Sequence, residues 1–186
     1  IGNFMSETPI NTSFEKYKCL KKVMYFTQPK TDEDIEQIII EKLIKISKLY
    51  NFNLEIKLHP RDQYSKIRSF KNHIKVTEHN LLFEDYIKDV DLAILKTSSI
   101  ALKLILNGIP TIYCLLSEWT KNGKLDYIDK NYFGSIQNIE HLEHRIQNYD
   151  LLVNNFVKYQ SDYLTTNGLY KGIDSFIVNI NNDISC

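Results

Sequence analysis

From Lys22 to Leu116 the chain alternates short apolar runs with stretches of helical periodicity. That alternation constrains the fold more than any other feature. A buried run followed by a helix returns most simply as a parallel strand, and repeated βα units build one parallel sheet covered on both faces. Val23-Met24-Tyr25-Phe26 is the first run, closed by Thr27-Gln28-Pro29. A helix is expected from about Asp32 to Leu49, with a Thr31/Asp34 capping-box spacing and Ile35, Ile39, Leu43 and Ile46 as its core stripe. Leu54 to Leu58 is strand two, Gln63 to Phe70 a short helix and Ile74 to Thr77 strand three. Asn80 is a candidate N-cap for a helix over 81–90, ahead of strand four from Asp91 to Leu95. Ser98 or Ser99 starts the next helix, which Asn107-Gly108 ends because glycine suits the left-handed position beyond a helix. Strand five runs from Ile109-Pro110 to Leu116.

After Leu116 the alternation stops. Residues 117–135 read as a loop, and a long helix is expected from about Ile139 to Tyr163, with a short one near 173–178. The expected fold is therefore α/β: a single Rossmann-like, doubly wound parallel sheet of about five to six strands, with helices on both faces. Three parts follow: residues 1–20 as a linker or the tail of a preceding domain, 21–136 as the core, and 137–186 as a helical segment packing on it. A length of 186 residues fits one such domain, and the Ile1 start points to a fragment.

Bulk chemistry excludes several classes. Lys+Arg and Asp+Glu are 23 each, so no basic field favours nucleic acid. The 12 Tyr residues are scattered rather than gathered on one basic strand face, which argues against an RNA platform. No apolar run approaches the ~20 residues of a membrane span, and the segment before Lys21 has no signal-peptide block. Cys19, Cys114 and Cys186 make neither a disulfide framework nor a metal spacing, so a reducing cytoplasm is the expected compartment. His141 and His144 lie one turn apart but lack a carboxylate or thiolate partner, and no metal site is expected.

The chemistry gathers at strand ends, where open parallel sheets bind ligands. The helix after strand one is a poor anion site, because Asp32, Glu33 and Asp34 fill its first turn. The helix after strand four has no acid there, and Ser98 and Ser99 add two hydroxyls to its N–H groups. Either Ser98 simply caps that helix or the pair cradles a phosphate. Charged hydrogen bonds at ~1.5–3 kcal/mol each would outweigh the helix-dipole contribution in the second case. At the end of strand two, His59 sits between Lys57 and Pro60-Arg61. It is either a structural histidine before a turn or, when protonated, a donor to a departing phosphate oxygen. Pro60 would hold that turn rigid and His59 extended. Glu84 favours the first turn of its own helix, or it accepts ribose hydroxyls at the exit of strand three. Asp85 follows it at about 100° around the helix, so one of the two should face the crevice.

The ordered set Lys57-x-His59-Pro60, Phe83-Glu84 and Ser98-Ser99 resembles the nucleotide-binding half of bacterial sialyltransferases of the GT-B fold, over residues 22–116. The resemblance implies a C-terminal GT-B half that binds CMP-sialic acid. His59 would contact the CMP phosphate and assist its departure as a general acid. Ser98 and Ser99 would bind the phosphate, Glu84 the ribose hydroxyls, and Lys57 with Pro60 the nucleotide. It further implies a metal-independent enzyme with no cofactor besides its CMP-sugar substrate. The glycan acceptor and the acidic catalytic base would come from an N-terminal domain, because the family's acidic-acidic-Gly motif does not occur here. The fragment alone would then be inactive. A cytoplasmic enzyme of lipooligosaccharide or capsule synthesis, peripheral at the inner membrane face, is the corresponding setting. CDP-glycerol and CDP-ribitol polymerases are similar, but their Asp-Tyr-Ser-Ser is here Lys96-Thr97-Ser98-Ser99. An inert Rossmann-like module and other sugar-nucleotide enzymes, such as epimerases, are the remaining alternatives.

Overall fold

Every apolar run expected to be a strand is one in the computed structural model, which describes residues 20–28, 33–61, 70, 74–77, 81–98, 100–118, 120 and 134–155. In chain order the elements are β1 (Lys22–Phe26), α1 (Glu33–Tyr50), β2 (Asn53–Lys57), β3 (Lys75–Thr77), α2 (Phe83–Tyr86), β4 (Leu92–Leu95), α3 (Ile100–Leu106), β5 (Thr111–Cys114), β6 (Gly134–Ile136) and α4 (His141–Gln147). Residues 149–155 are helical as well. The six strands form one sheet in the order β3-β2-β1-β4-β5-β6, and every neighbouring pair is parallel. The chain is thus a doubly wound, Rossmann-like α/β unit, with its strand order reversing between β1 and β4.

The side-chain period of two sorts the core into two layers. Val23, Tyr25, Ile56, Ile94 and Ile112 face Ile39, Leu43 and Ile46 of α1 and Leu142, Ile146 and Leu152 of the C-terminal helical segment. Met24, Phe26, Ala93, Leu95 and Tyr113 face the opposite way, against Ile87, Ala101 and Leu104. Each fully buried large side chain contributes ~1.5–3 kcal/mol of transfer free energy, which explains why the strands are apolar without alternation. Two helices end alike. Asn51 (φ 55) follows α1 and Gly108 (φ 73) follows α3, both left-handed. The Phe52 N–H then reaches back to the Ser47 carbonyl (3.2 Å), and the Ile109 N–H to that of Leu104 (2.9 Å).

Three expectations need correction. The helix expected over 81–90 is a single turn of 4 residues. Leu82 before it makes no side-chain capping bond, and Asp89 turns the chain at φ 62. Residues 134–136, expected to be loop, form β6 and pair with β5. The long helix expected from Ile139 is interrupted at Asn148 (φ −95, ψ 36), whose side-chain amide donates to the His144 carbonyl at 2.7 Å. The Thr31 cap, the Asn80 cap, most of the 63–70 helix, residues 1–19 and everything after 155 lie outside the described residues.

Candidate nucleotide crevice

The switch point between β1 and β4 is where opposite connections leave a crevice at the strand ends. Strand β1 ends at Phe26, and the next two residues hold the loops on either side of it. On the β2 side, the Thr27 N–H donates to the Lys57 carbonyl (3.1 Å), and the Thr27 hydroxyl oxygen accepts the His59 N–H (2.9 Å). On the β4 side, the Gln28 side-chain oxygen accepts both the N–H (3.1 Å) and the hydroxyl (3.0 Å) of Thr97. His59 and Thr97-Ser98 are therefore anchored to consecutive residues of one strand end. Their strands, β2 and β4, flank β1 and so stand ~10 Å apart.

Beneath these loops lies a buried polar cluster that the motif reading missed. Glu36 of α1 is 8% exposed and Lys96 just after β4 is 1% exposed, with Nζ 3.6 Å from Oε2. The other carboxylate oxygen of Glu36 accepts the Tyr25 hydroxyl (3.1 Å) and the Gln28 N–H (3.2 Å). A buried charge pair is retained only with such compensating bonds, and losing one partner typically costs ~3–5 kcal/mol. The available signal was Lys96 itself, a charge placed directly after a fully buried strand.

His59 is half-buried. Its Nδ1 accepts the Arg61 N–H at 3.1 Å, so Nε2 carries the proton in the neutral ring. Pro60 is exposed in the turn that follows. Ser98 is half-buried; its hydroxyl oxygen accepts the Ile100 N–H at 3.4 Å and its carbonyl the Ala101 N–H at 3.2 Å. That is the geometry of a loose cap. Ser99 lies outside the described residues. Lys57 is buried on the layer covered by α2, its ammonium 4.8 Å from the centre of the Tyr86 ring, and desolvation holds its pKa below that of a free lysine. Tyr86 also meets Phe26 and Phe83 edge-on (6.2 and 5.4 Å), and Lys103 of α3 lies 5.7 Å from the Phe83 ring. Burial, and then the charge of Glu84, push the Tyr86 phenol up to about 12.

Glu84 and Asp85 part ways on α2, as adjacent helical residues must. Glu84 is exposed, and among the described residues no hydrogen bond joins it to His59 or Ser98. Asp85 lines a separate cavity of about 310 Å³ beside β3, together with Lys22, Glu55, Lys75, Thr77 and Tyr86. There the Glu55 carboxylate is met by Lys75 (2.9 Å), Lys22 (3.4 Å) and the Thr77 hydroxyl (3.4 Å). The structure thus sets His59 and Ser98 just beyond the ends of β2 and β4, the two strands that flank β1, leaves Glu84 exposed on α2 and sets Lys57 under an aromatic ring. Among the described residues no three His, Cys, Asp or Glu side chains gather as a metal site, and no described helix is long and apolar enough to cross a membrane.

No protein-family model and no curated protein sequence matches the chain. Solved structures do match. A glycosylation-associated Gap123 complex from Streptococcus agalactiae aligns with a TM-score of 0.61 at 17% identity, covering 88% of this chain and 37% of that one. The rhamnosyltransferase SpnG, complexed with spinosyn aglycone, aligns at 0.56 and 10% identity, covering 76% and 41%. A putative UDP-N-acetylglucosamine 2-epimerase from Listeria monocytogenes aligns at 0.56 and 14%, covering 83% and 42%. At these identities the likeness is one of fold: the Rossmann-like unit of GT-B glycosyltransferases and epimerases. The chain spans about two-fifths of the length of each of these proteins.

Proposed function

We propose that this chain is the donor-binding half of a nucleotide-sugar glycosyltransferase, with CMP-sialic acid as donor. The observation that carries the reading is the attachment of His59 and Thr97-Ser98 to Thr27 and Gln28 on either side of the switch point. A ligand lying across that point meets an imidazole N–H from one side and hydroxyl and backbone donors from the other. Such donors, fixed before the reaction, stabilise the charge that grows on a departing phosphate. His59, protonated, would also hand its proton to the leaving oxygen. Ser99 would join Ser98 at the phosphate, and Glu84 would accept the ribose hydroxyls from α2. Lys57 and Pro60 would border the nucleotide. The reading invokes no metal and no cofactor.

The fold supports a sugar-nucleotide ligand, since the UDP-N-acetylglucosamine 2-epimerase shares it; the cytidine preference rests on the sequence motifs. Acceptor and catalytic base would belong to a second domain, so the chain alone would bind donor without transferring it. The setting proposed is the inner face of the cytoplasmic membrane, where surface glycans are assembled. Calorimetry with CMP and UMP tests the reading: CMP should bind, and UMP at least ~10-fold more weakly. His59→Ala should weaken CMP ~10–100-fold, the loss of one charged hydrogen bond, with a nearly unchanged melting temperature. Equal binding of UMP would overturn the cytidine preference, and no binding of either would overturn the nucleotide reading.

A further inference from the structure

We infer that Gln28 is a ligand-contacting residue, its side-chain amide donating to a phosphate oxygen of the nucleotide; the inference rests on the nucleotide reading above. The orientation of the carboxamide is fixed by chemistry. A backbone N–H can only donate, so the Gln28 atom facing Thr97 N (3.1 Å) must be the oxygen, and the Thr97 hydroxyl (3.0 Å) converges on the same atom. Nε2, the other end of the carboxamide, is therefore turned away from Thr97. Among the described residues nothing accepts its protons.

The residue is held in place from below as well. Its N–H is bound by Glu36 (3.2 Å), and Lys96 stands 3.6 Å from the same carboxylate group. Lys96 thereby offsets the negative charge that an incoming anion would otherwise meet beneath the loop. Gln28 is half-buried at the end of β1, next to Thr27, the anchor of His59, and is itself the anchor of Thr97. A fixed, preoriented donor at the switch point calls for a ligand acceptor, and phosphate oxygens are the acceptors that this crevice would hold.

Two variants and two ligands test the assignment, by NMR titration of the full-length protein so that weak binding is also read. Gln28→Glu keeps an oxygen for Thr97 but replaces the donor with a second, anionic oxygen. CMP should bind ~10–100-fold more weakly, whereas cytidine, which has no phosphate, should bind within about twofold of the parent. Gln28→Met removes the donor without adding charge. It should lose CMP affinity ~10-fold and again spare cytidine, which keeps the test open if the extra carboxylate near Glu36 disturbs folding. Equal losses for CMP and cytidine, or unchanged CMP affinity in both variants, would overturn the assignment while leaving the nucleotide reading intact. A parent protein that binds neither CMP nor UMP would overturn the reading itself.

Discussion

Cys114, the last residue of β5, is fully buried beside the polar cluster. Burial pushes its thiol from 9.0 up to about 12, and the nearby Lys96 charge only partly opposes that. Between those values the folded chain retains a proton that the unfolded chain has lost. Stability from this group is therefore present below about 9 and lost as the pH climbs towards about 12. Thermal melts across that window should show the parent falling faster than Cys114→Ala; parallel slopes would contradict the buried-thiol account. At this scale the sequence was partly legible. His59 and Ser98 stood out because their residue types carry chemistry next to strand ends. Gln28 and Glu36 did not, because an amide after a strand and a carboxylate in an acidic first turn are ordinary in isolation. Their roles depend on contacts across the sheet, with Thr97 and Lys96 some 60 to 70 positions away.

Among the elements, the strands were legible because burial on both faces demands uninterrupted apolar runs, as in Leu92–Leu95. Strand β6 was not. Its sequence is Gly-Ser-Ile, too short and too rich in turn-forming residues to resemble a strand. Glycine is there for space. A methyl group on Gly134 would stand 2.9 Å from Leu152 Cδ1 and 3.1 Å from Ile112 Cγ1. Gly134→Ala should therefore cost ~1–3 kcal/mol, read as a lower urea midpoint, and an unchanged midpoint would mean that the helix over 149–155 moves aside freely. The C-terminal helical segment was legible in its apolar stripe but not in its break at Asn148. Its attachment to α1 uses Lys42 with Glu140 (2.8 Å) and Glu143 (3.6 Å), and Tyr50 with Glu143 and Gln147. The Lys42 pKa is raised chiefly by its bond to Glu140. Those partners lie at surface positions, where no sequence period announces them.

For the molecule as a whole, one carboxylate closes the edge opposite the crevice. Asp91 accepts the N–H groups of both Lys21 and Lys22 on a single oxygen, each at 2.8 Å, and returns its own N–H to the Lys22 carbonyl (2.9 Å). The Tyr149 hydroxyl donates to the Asp91 carbonyl (3.0 Å), drawing the C-terminal segment into the same joint. Asp91→Ala would orphan two donors at the start of β1 and should cost about 3 kcal/mol in urea unfolding. Asp91→Asn can still present one oxygen to both and should cost about 1 kcal/mol. Equal losses would show that charge, rather than the acceptor, makes the joint. The doubly wound topology itself was legible from the βα alternation, whereas this joint was not, since it links residues that meet only after the strand order reverses.

That reversal also governs how the chain is made. Of the six described strands, the first synthesised is a central one: Val23 pairs with Leu54 on one side and with Leu92 on the other. As the polypeptide leaves the ribosome, β1 and β2 can join early, yet the other flank of β1 stays open until β4 has emerged. During that interval Val23–Phe26 offers bare backbone donors and acceptors between two greasy faces, the profile of a seed for intermolecular pairing. Holding that nascent edge apart from its neighbours is a task for chaperones, and slowing translation between Thr77 and Leu92 would lengthen the exposure.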